Sequence, residues 1–211
     1  MIDRFTEQNF HERCDILIEK DETLHEVFRL YGYPPFWVRP NTFQTLVLTI
    51  LEQQVSLASA FAAFKKLKER LGAITPNKVL ELSDEELRSC YLSRQKIVYV
   101  RILAQALLSK EIRLQQLYYQ EDPVVRNSLK QLKGIGDWTV DIYLMHALRR
   151  CDIFPIGDLA LVNAIRMLRQ DKSLTKETMM DISEAWKPNR SIATMILWHY
   201  YIKSRNIKLL H

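Results

Sequence analysis

Leu132-Lys133-Gly134-Ile135-Gly136-Asp137-Trp138-Thr139, followed by Phe154-Pro155-Ile156-Gly157-Asp158, is the stretch that decides the fold. The chain of 211 residues holds five glycines, and three of them (Gly134, Gly136 and Gly157) fall in this window. Glycine adopts positive φ without a Cβ clash and lets a ligand approach the backbone closely. Apolar periodic runs flank both glycine sites, so each reads as a tight turn that opens a helix. Successive N–H groups at such a turn form a concavity suited to a phosphate. The second turn ends in an acid, Asp158, where a helix should begin. A phosphate-gripping hairpin followed one helix later by a single poised carboxylate points to chemistry on a nucleic acid.

Outward from this window, almost every segment reads as helix. Apolar residues recur at three- and four-residue spacing, and strand-like alternation is scarce. Asn41 is the expected N-cap of a helix over 42–53. Ser83 with Glu86 forms a capping box, and Thr75-Pro76 places a cap before proline at the first helical position. Gly72 stops the run 57–71. Further helices are expected near 22–31, 76–82, 84–91, 94–109, 123–132, 137–149, 158–169, 175–186 and 189–204. Pro34-Pro35 marks a break between an N-terminal helical extension (1–35), packed on the core, and the core itself (36–211). The connection 110–122 divides that core into lobes of about 36–115 and 116–211, with N-terminal residues able to complete the second. The expectation is an all-α fold of two interlocked helical lobes, carrying a helix–hairpin–helix motif and a cleft between the lobes.

Composition narrows the class of partner. A formal charge of +5 suits a polyanion, though many basic proteins bind none. The three cysteines, Cys14, Cys90 and Cys151, are far apart and odd in number, which indicates neither a disulfide framework nor a zinc site. Met1–Glu7 has no basic segment leading into an apolar one, and no apolar run approaches the length needed to span a bilayer. These features predict a soluble, intracellular, reduced protein that is not secreted. It would be cytoplasmic and nucleoid-associated in a bacterium, nuclear in a eukaryote.

The two glycine turns together resemble the helix–hairpin–helix plus Gly/Pro-Asp (HhH-GPD) pattern of base-excision DNA glycosylases. Ile50-Leu51-Glu52-Gln53-Gln54-Val55-Ser56, Trp186-Lys187-Pro188-Asn189-Arg190-Ser191 and Trp198 narrow the resemblance to the 3-methyladenine DNA glycosylase II family. It runs from about residue 36 to the C-terminus. The resemblance implies an enzyme that flips a damaged base out of double-stranded DNA and hydrolyses its N-glycosidic bond. The expected substrates are alkylated purines such as 3-methyladenine, and the expected state is a monomer that does not engage membranes.

Roles follow residue by residue. Asp158 is the catalytic candidate, because a carboxylate stabilises the oxocarbenium-like sugar formed as the base departs. Most acids at such a place are plain helix caps, and the hairpin upstream is what favours chemistry here. Trp138 and Trp198 match the aromatic walls of the base pocket, where an indole face attracts a cationic methylated base. Ile142 stands where an aromatic pocket residue can occur. Gln54, with Gln53 beside it, falls where the family places the residue that fills the gap left by the flipped base. Gly134, Ile135 and Gly136, with Lys187 and Arg190, are the phosphate-binding candidates. The backbone carbonyls of Lys130, Leu132 and Ile135 match positions that hold a monovalent cation (Na+ or K+) in this family.

Other residues limit the reading. Members that also cut the backbone carry a lysine at position 138, as a Schiff-base nucleophile. Trp138 therefore implies a monofunctional enzyme that leaves an abasic site. Lys133 precedes the turn and is on the wrong side of it. No run of cysteines suits an iron–sulfur cluster, and no cofactor is required. Asp137 is a departure, since an acid beside the turn either caps the next helix or weakens the grip. Two alternatives stay open: a glycosylase for a different damaged base, and a non-catalytic helix–hairpin–helix module that only binds DNA. A helical protein–protein scaffold is a weaker third, which Gly134 and Gly136 argue against.

Overall fold

The computed structural model describes residues 2–207, and it is helical nearly throughout. Among the described residues there are thirteen helices: α1 (Phe10–Lys20), α2 (Glu22–Tyr31), α3 (Phe43–Glu52), α4 (Leu57–Leu71), α5 (Pro76–Glu81), α6 (Asp84–Ser89), α7 (Arg94–Leu108), α8 (Leu114–Leu117), α9 (Asp122–Lys130), α10 (Asp137–His146), α11 (Leu159–Leu168), α12 (Lys176–Glu184) and α13 (Arg190–Ser204). The only β-type pairing among them is an isolated antiparallel bridge between Arg4 and Arg150. None of these helices is long and apolar enough to cross a membrane.

The chain forms two compact units: residues 2–38 with 144–207, and residues 39–143. This corrects the division expected near 115/116, because the break falls inside α10. The N-terminal residues join the C-terminal helices in one unit. In the first unit α1 and α2 pack directly on α13, which α11 also contacts. Nine consecutive residues of α13, Ser191 to His199, are buried, so this helix needs neighbours on every side. The N-terminal helices supply them. Polar contacts fasten the arrangement: Trp186 Nε1 donates to Asp21 Oδ2 at 2.8 Å, and Arg13 Nη1 to Asn189 Oδ1 at 2.6 Å. Phe5, Phe10 and Phe36 pack ring against ring beside them.

The second unit is built around α3 and α7. Seven of the ten residues of α3 are buried, and it packs on both α4 and α7. In α4, Ala60, Ala63 and Leu67 are buried at helical spacing, while its opposite face carries lysines. Helix starts follow local chemistry. Ser56, Thr75 and Ser93 each accept a hydrogen bond from the third residue of their helix, and the Ser83–Glu86 capping box is complete. The cap of α3 is Thr42 rather than Asn41. Asn41 is occupied elsewhere: its amide donates to Leu114 O at 2.8 Å, and its Oδ1 accepts from the Tyr143 hydroxyl at 2.6 Å. α10 stops at His146 rather than near 149, with Arg149 at φ 56, outside the right-handed helical range.

The three cysteines are buried and free. Burial pushes the thiols of Cys14 and Cys151 up to about 12, which leaves them unreactive near neutral pH. His199 is also buried, with Nε2 3.1 Å from Tyr31 O, so that nitrogen carries the proton of the neutral ring. Burial lowers its pKa from the ordinary 6.5. Below that value the unfolded chain binds a proton that the folded ring resists, so this group's contribution to stability is full at higher pH and lost on acidification. The stability advantage of the wild type over His199→Gln, from urea midpoints, should therefore shrink as pH falls from 7.5 to 5.5. A difference independent of pH would contradict this account.

Candidate active site

In the first unit the chain reaches Asp158 through the turn Pro155–Gly157, where Asp158 N–H donates to Pro155 O at 2.8 Å. Asp158 is the N-cap of α11, and its Oδ1 accepts the Leu161 N–H at 2.8 Å. The same oxygen accepts the indole N–H of Trp198 at 3.0 Å. A cap alone would need only the first bond. The second fixes the carboxylate rotamer from another helix. Trp198 is 8% exposed, and His146 stacks on it with ring centroids 5.6 Å apart and planes 8° apart. His146 is held in turn, with Nδ1 2.8 Å from Trp37 O. This imidazole backing was not visible in the sequence, where the histidines are scattered. Beside the acid, Leu159 at the first position of α11 is 76% exposed, an apolar surface adjoining a charge.

Other candidates in this unit fare differently. Arg190 is not available for phosphate: Nε and Nη2 hold the two carboxylate oxygens of Asp152 at 2.7 and 2.9 Å, and its side chain is 15% exposed. A bidentate pair of this kind is a structural tie. Lys187 pairs with Glu184 at 2.7 Å, but both are well exposed. Such surface pairs contribute only about 0–1 kcal/mol, so Lys187 can exchange partners. Trp186 is a core residue, at 2% exposure.

In the second unit the hairpin joins α9 to α10. Gly134 has φ 95, and a Cβ placed there would lie 2.1 Å from the Tyr99 ring of α7. Only glycine lets the turn sit against that ring. Gly136 is different, since its φ is not positive and a Cβ there meets nothing within 4 Å. Its glycine is required neither by the backbone nor by protein neighbours. The grip also needs correction at Ile135, whose side chain is buried and whose N–H donates to Leu132 O at 3.0 Å. Among the described residues, the N–H groups of Gly134 and Gly136 meet no protein acceptor. These two, with the opening turn of α10, are the donors the hairpin can offer a phosphate. Asp137 does not spoil the site, because Lys130 Nζ neutralises it at 2.6 Å.

Trp138 is the second residue of α10 and is half-buried, while Ile142, one turn later, is buried. On the same helix Asp141 pairs with Arg126; burial raises its carboxyl from the ordinary value, and the arginine acts in the opposite direction. Gln53 is not a wedge: its Nε2 donates to Gly134 O at 2.8 Å and to Thr139 Oγ1 at 2.9 Å. Gln54 is exposed at φ 55, a left-handed conformation that costs a non-glycine residue about 1 kcal/mol. Val55 and Leu57 beside it are also exposed. The turn after α3 thus presents Gln54 outward and secures Gln53 inward.

Comparison with known proteins shows the family of the chain. Residues 47–188 match the HhH-GPD superfamily of base excision DNA repair proteins. A DNA-3-methyladenine glycosylase of Bacillus subtilis is 30% identical over 172 residues, covering 75% of this chain and 57% of that protein. A second Bacillus subtilis relative is 28% identical over 185 residues, and the chain spans 64% of it. The chain thus covers about three fifths of the length of these two relatives. Among solved structures, the Schizosaccharomyces pombe 3-methyladenine DNA glycosylase in complex with abasic DNA superposes with a TM-score of 0.83 at 27% identity, covering 95% of this chain and 99% of that one.

The two hairpin glycines should respond differently to substitution. Gly134→Ala must strain the backbone and displace Tyr99, and should lower the unfolding free energy by at least about 2 kcal/mol. Gly136→Ala should stay within about 0.5 kcal/mol of the wild type, as an open surface position does. Urea titrations of both variants check this. Equal losses at the two positions would contradict the geometry.

Proposed function

From a chain that belongs to the HhH-GPD superfamily of base excision DNA repair proteins, we infer a DNA glycosylase that removes alkylated purines from duplex DNA. The observation that carries this reading is the Asp158 carboxylate, held by a backbone N–H and by the indole N–H of Trp198. A module that only binds DNA has no use for an acid oriented by an aromatic side chain from a second helix. The 3-methyladenine glycosylase named among its relatives indicates the substrate class.

The chemistry then divides between the units. In the second, the N–H groups of Gly134 and Gly136 hold a backbone phosphate with no regard to sequence, and Gln54 fills the space vacated by the flipped nucleotide. Trp138 is the aromatic side chain this unit offers the flipped base, with Ile142 one turn further along α10. In the first, Trp198 presents one indole face to the base while His146 backs the other. Methylation at N3 or N7 makes a purine cationic, so the indole attracts it and the base departs readily. The C1′–N bond breaks with its electron pair going to the base. Asp158 stabilises the positive charge left on the sugar, and water adds at C1′ and loses a proton. Trp138 stands where strand-cutting members carry a lysine, so the proposed product is an abasic site in an intact strand. Lys187 is the remaining basic side chain proposed to meet phosphate.

The carbonyls of Lys130, Leu132 and Ile135 are those that would hold a monovalent cation. Leu132 O takes one hydrogen bond, from Ile135 N–H, while Gly134 O is occupied by Gln53. Leu132 O keeps a second lone pair for such a cation, which would add positive charge behind the phosphate grip. No organic cofactor is needed. The proposed setting is intracellular, as a monomer on damaged double-stranded DNA.

Asp158→Asn should reduce release of N7-methylguanine or 3-methyladenine from methylated duplex by at least about 100-fold, with affinity for the duplex within about twofold. Trp198→Phe keeps an aromatic wall but removes the N–H. It should lower the single-turnover rate about tenfold, the scale of one hydrogen bond to a charged group. Undiminished release by Asp158→Asn would overturn the catalytic assignment, and unchanged rates for Trp198→Phe would remove the orienting role.

A further inference from the structure

Gln53 spends its amide on two atoms that belong to the hairpin and to the helix after it. One Nε2 donates both to Gly134 O, at 2.8 Å, and to Thr139 Oγ1, at 2.9 Å, across 81 and 86 residues of chain. Thr139 is buried, so the second bond ties the half-buried Gln53 to an interior hydroxyl. Gln53 is the C-cap of α3, and the next residue is Gln54, exposed and left-handed. A residue in that conformation persists only where its surroundings hold it.

Two further contacts brace the same elements. Lys96 Nζ donates to Leu51 O, at the end of α3, at 2.7 Å, and the ring of Tyr99 closes on Gly134. Both side chains come from the first turns of α7. The end of α3, the hairpin and the start of α7 are thus tied by contacts that have no counterpart in the sequence spacing. If Gln53 served packing alone, an apolar side chain of the same length would replace it. If it merely capped α3, it would bond to its own helix rather than to Gly134 and Thr139.

We propose that Gln53 is a positioning residue that couples the gap-filling turn to the phosphate grip, so that holding the backbone at the hairpin sets Gln54 for insertion. The inference rests on the reading of the chain as a base-flipping glycosylase. It assigns Gln53 no contact with DNA. Gly134 belongs to both parts: its N–H meets no protein acceptor, and its carbonyl receives Gln53. The Gly134 carbonyl shares its peptide with the Ile135 N–H, which donates to Leu132 O at 3.0 Å, so the Gln53 bond joins a chain of hydrogen bonds that holds the turn in shape.

The test is a double-mutant cycle on the full chain with a duplex carrying one tetrahydrofuran abasic analogue, with 2-aminopurine as the base opposite. Gln53→Met removes both hydrogen bonds at nearly constant length. It should weaken binding to this duplex about tenfold and suppress the 2-aminopurine fluorescence change, leaving affinity for undamaged duplex within about twofold. In a Gln54→Ala background, Gln53→Met should cost nothing more, because the residue it positions is gone. Thr139→Val removes one of the two bonds and should give a smaller effect of the same kind. It reads the coupling from the other end if Gln53→Met does not fold.

Multiplicative losses in the double variant would overturn the coupling, as would an equal loss on undamaged duplex or no effect of Gln54→Ala. Base release is scored separately on methylated duplex. Failure of the wild type to release base, with the cycle intact, counts against the glycosylase reading and not against the coupling.

Discussion

Asp158 takes a hydrogen bond from the Leu161 N–H and another from the Trp198 indole, and much of the first unit serves to keep those two donors in place. The first comes from starting α11 at this residue, after a turn closed by the Asp158 N–H on Pro155 O. The second requires α13 at a fixed depth and rotation. α1, α2 and α11 provide that by packing on a helix buried along nine consecutive residues. His146 then fixes the indole plane, and Trp37 O fixes His146. A carboxylate oriented in this way needs no rearrangement to meet a developing positive charge, which is the form of catalysis that a preorganised site provides.

A different constraint governs the second unit. The hairpin lies so close to α7 that a single Cβ at position 134 would penetrate the Tyr99 ring. The gain is a turn with two N–H groups that meet no protein acceptor and a carbonyl held by a side chain. Gln53 takes that carbonyl, and Lys130 neutralises the acid beside the turn. Polar groups here are therefore satisfied where they face inward and left to a ligand where they face outward. Gln54, beside Gln53, is left-handed and lies on the exposed turn proposed to enter the duplex.

The parts of this picture that depend on neighbours in sequence were legible from sequence. Helical periodicity, the Ser83–Glu86 box, the stop at Gly72 and the cap at Asp158 are all local, and each is present. Side-chain pairing across long separations was not legible. Arg190 read as a phosphate ligand because nothing nearby revealed Asp152, 38 residues away, as its partner. Gln53 read as a wedge because its acceptors lie more than 80 residues further on. The contacts of His146 with Trp198 and with Trp37 O are hidden for the same reason. The unit boundary within α10 was hidden too, since a continuous helix carries no composition change to mark it. Equating all three hairpin residues as phosphate donors failed on one hydrogen bond, Ile135 to Leu132.

The central claim is that Asp158 acts on the glycosidic bond while Trp138, in place of a lysine, leaves the strand uncut. The most direct measurement is a product analysis of the wild-type protein on a duplex with a single N7-methylguanine and a labelled strand. The account predicts free base in solution and a full-length strand that breaks only after alkali. Intact nucleotide in the strand at all times, or cleavage without alkali, would contradict it.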